Sequence, residues 1–205
     1  MVEDTEFRLE NPIWRVQKKL GILRSGATFV FASRLCKILP GNLTMQINFI
    51  TTGGTIDKVY FDAKSSYEVG EPQIGRILDA IGAAIDYRVI SLLRKDSLEL
   101  TDADRALIHA TVLAQDSQRI IITHGTDSMV ETALALDGIP DKTIVLTGAL
   151  NPARFADSDA VFNIGCAIGA VQGKAPGVYV AMNGRVWDPD KVRKNRAANR
   201  FEPVV

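Results

Sequence analysis

Five short segments recur along this chain, apolar over almost every residue, and each runs into a turn of glycine and small polar residues. They are "INFIT" (47–51), "YRVISLL" (87–93), "RIIITHG" (119–125), "KTIVLTGAL" (142–150) and "GVYVAMNG" (177–184). Their length and β-branched content mark them as strands. Strands that lack apolar/polar alternation are covered on both faces, as in a parallel sheet sandwiched between helices. Helical patterns fill the intervals: 71–84 with a proline in its first turn, 100–115, 128–138 ending at Gly138, and 159–173. In the second of these, Thr101 is the expected cap, with Asp102 and Asp104 in the first turn. Residues 52–70, rich in Gly, Ser, Asp and Lys, read as a long loop. Alternating strand and helix demands right-handed crossovers, which gives an α/β fold: a three-layer α/β/α sandwich around an open, mostly parallel sheet. Such sheets bind ligands beyond the carboxyl ends of their strands. The loops there are "TTGGTID", "LLRKDS", "THGTDS", "TGALNPARF" and "MNGRVW", and all five are expected to crowd one edge.

Residues 1–44 differ from the rest. They mix apolar and basic residues without a sustained period, allow a short basic amphipathic helix near Trp14–Leu23, and end in the turn signal "PGN". A self-contained domain is expected to begin at Met45 and run to Val205. The stretch before it reads as a disordered extension or a start placed too far upstream, with a targeting or partner-binding arm as the rival reading. Lys+Arg and Asp+Glu number 24 each, so the formal net charge is +0. Neither a nucleic acid nor an anionic membrane has an electrostatic claim on such a chain. Cys36 and Cys166 are too few for a disulfide framework, and His109 and His124 too few for a histidine-rich metal centre. No apolar run approaches the ~20 residues of a membrane helix. The acidic start "MVEDTEFRLE" is unlike a secretory signal, so a cytoplasmic location is expected.

Two of the loops set threonines beside glycine. "TTGGTID" holds Thr51, Thr52 and Thr55 around Gly53 and Gly54; "THGTDS" holds Thr123, Thr126 and Ser128 around Gly125. Glycine lets backbone N–H groups approach a ligand closely, as an oxyanion hole requires. A threonine hydroxyl is a weak nucleophile and needs a base or a cation nearby. His124 is one such base, unless it faces away from the loop as a structural residue. Taken singly, each motif has a plainer explanation. Thr55 is a turn residue, Thr126-Asp127 an N-cap, "DPDKVRKNR" (188–196) a solvated charged face, and "TGGT" a glycine-rich turn without the spacing of a phosphate-binding loop.

Together the motifs resemble the bacterial-type L-asparaginase (asparaginase/glutaminase) family. "TTGGTID" is similar to that family's first active-site signature and "ITHGTDSMVETA" to its second, differing at Ser128. "KSSYEVG" (64–70), "LTGALNPARFADSDAVFN" (146–163) and "GVYVAMNGRVWDPDKVRKN" (177–195) follow in the family's order. The resemblance covers roughly Gln46 to Pro203. It implies the Rossmann-like N-terminal domain of that family and hydrolysis of the side-chain amide of asparagine, or a related small amide, to acid and ammonia. Thr55 would be the nucleophile and Tyr67 its helper. Thr126, Asp127 and Lys194 would form a second catalytic cluster. Backbone N–H groups near Gly54 and Gly125 would face the oxyanion, and Asp127 would also accept from the substrate's α-ammonium. No cofactor and no metal are implied.

The departures bear on substrate. The family's usual protein is about twice as long and adds a C-terminal domain, which this chain is expected to lack. The family's substrate-binding serine is replaced by Arg94, in "RKDS". Arg94 would grip the substrate's α-carboxylate or be a surface charge, while Asp96 and Ser97 are the remaining candidates for substrate contact. With the loop edge left open, a homo-oligomer is expected. Rival functions are a non-catalytic asparagine- or aspartate-binding module, an amidotransferase-type subunit that supplies ammonia to a partner, and a nucleotide-binding domain.

Overall fold

The computed structural model describes residues 45–61 and 66–204. The expected helix near Trp14–Leu23 lies outside those residues. A six-stranded sheet organises the chain: β1 (Ile47–Gly53), β4 (Tyr87–Lys95), β5 (Arg119–Thr123), β6 (Thr143–Thr147), β7 (Gly177–Met182) and β8 (Arg185–Trp187). Its spatial order is β4-β1-β5-β6-β7-β8, parallel except for the last pair. From β1 the chain crosses to the edge at β4, then returns to the other side of β1 at β5. The order of strands therefore reverses between β1 and β5, which opens a crevice at their carboxyl ends.

Alternate side chains feed two cores. Phe49, Ile121 and Val145 face α1 (Ile74–Ala80) and α4 (Ala160–Gly173), while Ile50, Ile122 and Leu146 face α2 (Asp102–Leu113) and α3 (Met129–Ala135). That is the expected three-layer sandwich. Each fully buried Ile or Leu stabilises it by roughly 1.5–3 kcal/mol relative to exposure. Thr101 caps α2 through a complete capping box with Asp104.

Three expectations are corrected. First, β4 is not buried on both faces: Arg88, Val89, Ser91 and Arg94 are exposed, because β4 is an edge strand. Second, 52–70 is not one loop. It holds a 3-10 turn, Thr55–Asp57, and an antiparallel hairpin of β2 (Lys58–Phe61) and β3 (Ser66–Val69), in which Tyr60 and Tyr67 pair edge to face at 5.4 Å. Third, the strand read over 177–184 ends at Met182. Asn183 (φ 53) and Gly184 (φ 74) turn the chain back into β8, as an Asn-Gly hairpin turn does. Beyond it, "VRKN" forms β9 (Val192–Asn195), paired antiparallel with β10 (Arg200–Pro203).

Candidate active site

The crevice between β1 and β5 is closed at its floor by backbone. Gly53 (φ 96) and Gly54 (φ 88) adopt conformations that glycine alone takes easily, which folds the end of β1 across to β5. A β-carbon on Gly54 would lie 2.3 Å from Gly125 Cα. The Gly54 N–H donates to Lys95 O at 3.0 Å, so this amide serves the scaffold and not a ligand. The amides of Thr55, Gly125 and Thr126 have no acceptor among the described residues and are the ones left for an oxyanion.

Across the crevice, Lys194 Nζ donates to Thr126 Oγ1 at 2.7 Å and to Asp127 Oδ1 at 2.9 Å. The Lys194 side chain is only 11% exposed. Alternation along β9 explains its direction: Val192 packs into the core, and Lys194, two residues on, shares that face. Phe201, opposite Lys194 in β10, is buried in the same core and fixes the hairpin. The plain N-cap reading of Thr126-Asp127 therefore fails. The cap position of α3 is Ser128, and the Thr126 and Asp127 side chains are turned to the lysine. Likewise "DPDKVRKNR" is not merely a charged face. Arg196 Nε also reaches Asp127 Oδ1, at 3.2 Å, a contact that sequence reasoning missed.

Other residues act through the loops. His124 is buried; its Nδ1 lies 2.7 Å from Gly125 O and its Nε2 2.9 Å from Thr132 Oγ1. A carbonyl can only accept, so Nδ1 carries the proton and Nε2 accepts from Thr132. Burial pushes the imidazole down to about 4, against weaker support from the Gly125 carbonyl. His124 is thus a neutral pillar under the loop. Ser97 is buried; its Oγ accepts from Asp127 N–H (3.2 Å), its carbonyl accepts from Ser128 Oγ (2.6 Å), and its side chain packs on Gly125. It shapes the second loop and offers little surface to a substrate. Asp96 accepts from Lys58 Nζ at 2.7 Å and from Leu98 N–H, and these bonds, with the charge of Lys194, hold its carboxyl below the usual range despite partial burial. Lys95 turns away to grip Asp104 at the start of α2 with bonds of 2.8 and 2.9 Å.

Arg94 forms a two-pronged pair with Glu71, 2.6 and 2.7 Å, on the wall of a cleft that it shares with Lys58, Tyr67 and Asp96. Tyr67 is half exposed, packed against Tyr60 and Phe155, and no hydrogen bond joins it to Thr55. The Thr55 hydroxyl is half-buried and has no partner among the described residues. Asp57, which the sequence reading passed over, is buried, and its carboxylate accepts from Gln73 N–H at 2.8 Å. Burial raises its pKa to about 6, opposed by that bond and by the charge of Arg94. Among the described residues, no group of three or more His, Cys, Asp and Glu is arranged to hold a metal ion, and no helix is long and apolar enough to cross a membrane.

The family model "Asparaginase, N-terminal" matches residues 46–202. The chain belongs to the asparaginase family. It is 32% identical over 166 residues to L-asparaginase 2 of Escherichia coli, covering 75% of this chain and 47% of that protein. The thermostable L-asparaginase from Thermococcus kodakarensis superposes with a TM-score of 0.68 at 26% identity, covering 78% of this chain and 51% of the other. The chain is also 27% identical over 168 residues to a glutamyl-tRNA(Gln) amidotransferase subunit of Haloquadratum walsbyi, covering 75% of this chain and 38% of that protein. It thus spans about half the length of the asparaginases it matches.

Proposed function

We propose that this member of the asparaginase family hydrolyses the side-chain amide of asparagine, or of a related small amide, releasing ammonia. The observation that carries this reading is the amine of Lys194, at 2.7 Å from the Thr126 hydroxyl and 2.9 Å from the Asp127 carboxylate. An amine between a hydroxyl and a carboxylate can relay protons, which a threonine-based attack requires. In this reading the Thr55 oxygen attacks the amide carbon and the amides of Thr55 and Thr126 receive the oxyanion. The Thr55 hydroxyl proton passes to the amide nitrogen through the Thr126–Lys194 pair, the C–N bond breaks to release ammonia, and water then hydrolyses the Thr55 ester to the acid. Tyr67 closes on Thr55 from the hairpin when substrate is bound. Arg94 exchanges Glu71 for the substrate's carboxylate. An exposed pair is worth only about 0–1 kcal/mol, so the exchange costs little. No cofactor enters the scheme. Exposed Phe155, Val161 and Phe162 support a homo-oligomer, which light scattering on the purified chain would test.

The test is ammonia release from asparagine, glutamine and small amides by the purified chain, beside Thr55→Ala. Release that Thr55→Ala abolishes is the expected result; ligand binding without turnover in either protein points instead to a binding module. The likeness to an amidotransferase subunit favours one second reading, in which ammonia passes to a partner. Release that begins only when such a partner is added would select it.

A further inference from the structure

In this site the carboxylate that an α-ammonium would need already holds two cations. Lys194 and Arg196 both bond Asp127 Oδ1, at 2.9 and 3.2 Å. Arg196 reaches the carboxylate from the surface, its side chain 67% exposed. It opens the turn of the β9–β10 hairpin, whose shape is set by Ala198 N–H on Asn195 Oδ1 (3.0 Å), Asn199 N–H on Arg196 O (3.3 Å) and Phe201 N–H on Asn183 Oδ1 (2.9 Å). Two neighbouring acids are engaged too: Asp96 by Lys58 and Glu71 by Arg94. A ligand's carboxylate meets exchangeable cations at this edge, whereas a ligand's ammonium meets in Asp127 a carboxylate whose charge two cations already balance.

The geometry points to Arg196 as the residue that sets substrate class. By holding Asp127 it lets the site accept ω-amides of carboxylic acids that have no α-amino group at least as readily as α-amino acid amides. This rests on the hydrolase reading for its chemistry, but the recognition can be measured apart from turnover.

The experiment measures, by calorimetry on the full chain, the affinities for aspartate and succinate, which differ only in the α-ammonium. The variants are Arg196→Gln and Arg196→Lys, with Arg200→Gln as a control that removes the same charge from the same hairpin. The wild-type ratio of the two affinities is expected near one. Arg196→Gln should raise it about tenfold toward aspartate, while Arg196→Lys and Arg200→Gln leave it within about threefold of wild type. A wild-type protein that already prefers aspartate more than tenfold, an Arg196→Gln ratio equal to wild type, or no binding of either acid would overturn the inference. Ammonia release from asparagine and succinamate is followed in parallel. Absence of release with the binding ratios as expected sinks the hydrolase reading and leaves the role of Arg196 standing.

Discussion

Gly54 and Gly125 meet backbone to backbone, and this contact joins the turn after β1 to the turn after β5. A β-carbon on Gly54 would fall 2.3 Å from Gly125 Cα and 2.4 Å from Gly125 N, with φ at 88 besides. Backbone cannot swing aside as a side-chain tip can. Gly54→Ala should therefore separate the loops, destabilise the fold by about 2 kcal/mol or more, and abolish ammonia release. Gly75→Ala, in open space on α1, should keep wild-type melting and activity. Equal melting temperatures for the two variants would refute the contact.

Lys194 is nearly buried and holds both Thr126 and Asp127. Lys194→Met should lower kcat for amide hydrolysis by about 10²–10⁴-fold, the usual range for a lost acid–base group, and lower stability by leaving Asp127 with Arg196 alone. Lys194→Arg keeps the charge but cannot give up a proton at neutral pH, so it should restore melting without restoring kcat. Steady-state kinetics and thermal melts on the two variants separate these effects.

Asp57 and His124 set opposed pH dependences. His124 is held near 4 in the folded protein against 6.5 when unfolded. The stability from its neutral form is present above about 6.5 and lost as pH falls toward 4, since only the unfolded chain takes up the proton there. Asp57 is raised to about 6 from 3.8, so its contribution is present below 3.8 and lost as pH rises toward 6. At about 1.36 kcal/mol per pH unit each is worth roughly 3 kcal/mol, and between pH 4 and 6 they nearly cancel. Asp57→Asn keeps the acceptor for Gln73 N–H and removes one side of the balance. Its melting temperature should fall steeply from pH 6.5 to 4.5 while the wild type stays nearly flat. Parallel curves would mean that Asp57 does not titrate in this range.

The described residues cluster as one compact unit. A chain beginning at Met45 is therefore expected to fold, with circular dichroism and a cooperative melt like those of the full chain. Loss of the cooperative melt would show that residues before Met45 are needed.

The sheet, its covering helices and the two threonine loops were legible from residue order alone. Short β-branched apolar runs such as "RIIIT", bounded by turn residues, read as buried strands, and Thr101 with Asp104 can cap a helix through local bonds. The family followed from motifs that keep their order, since order survives without coordinates. The strand pairing of "VRKN" was not legible, because a strand of four residues with three polar ones carries no periodic signal. Asn183-Gly184 is itself a hairpin signal, but it directly continues the apolar run of β7 and so does not mark a boundary in the sequence. Which polar atoms meet was decided by tertiary structure: Lys194 on Thr126, 68 residues away, Arg196 on Asp127, Ser97 turned inward to Asp127 N–H, and Arg94 outward to Glu71. Periodicity reports which face of an element is buried, and such contacts depend instead on where the reversal of strand order brings separate loops together.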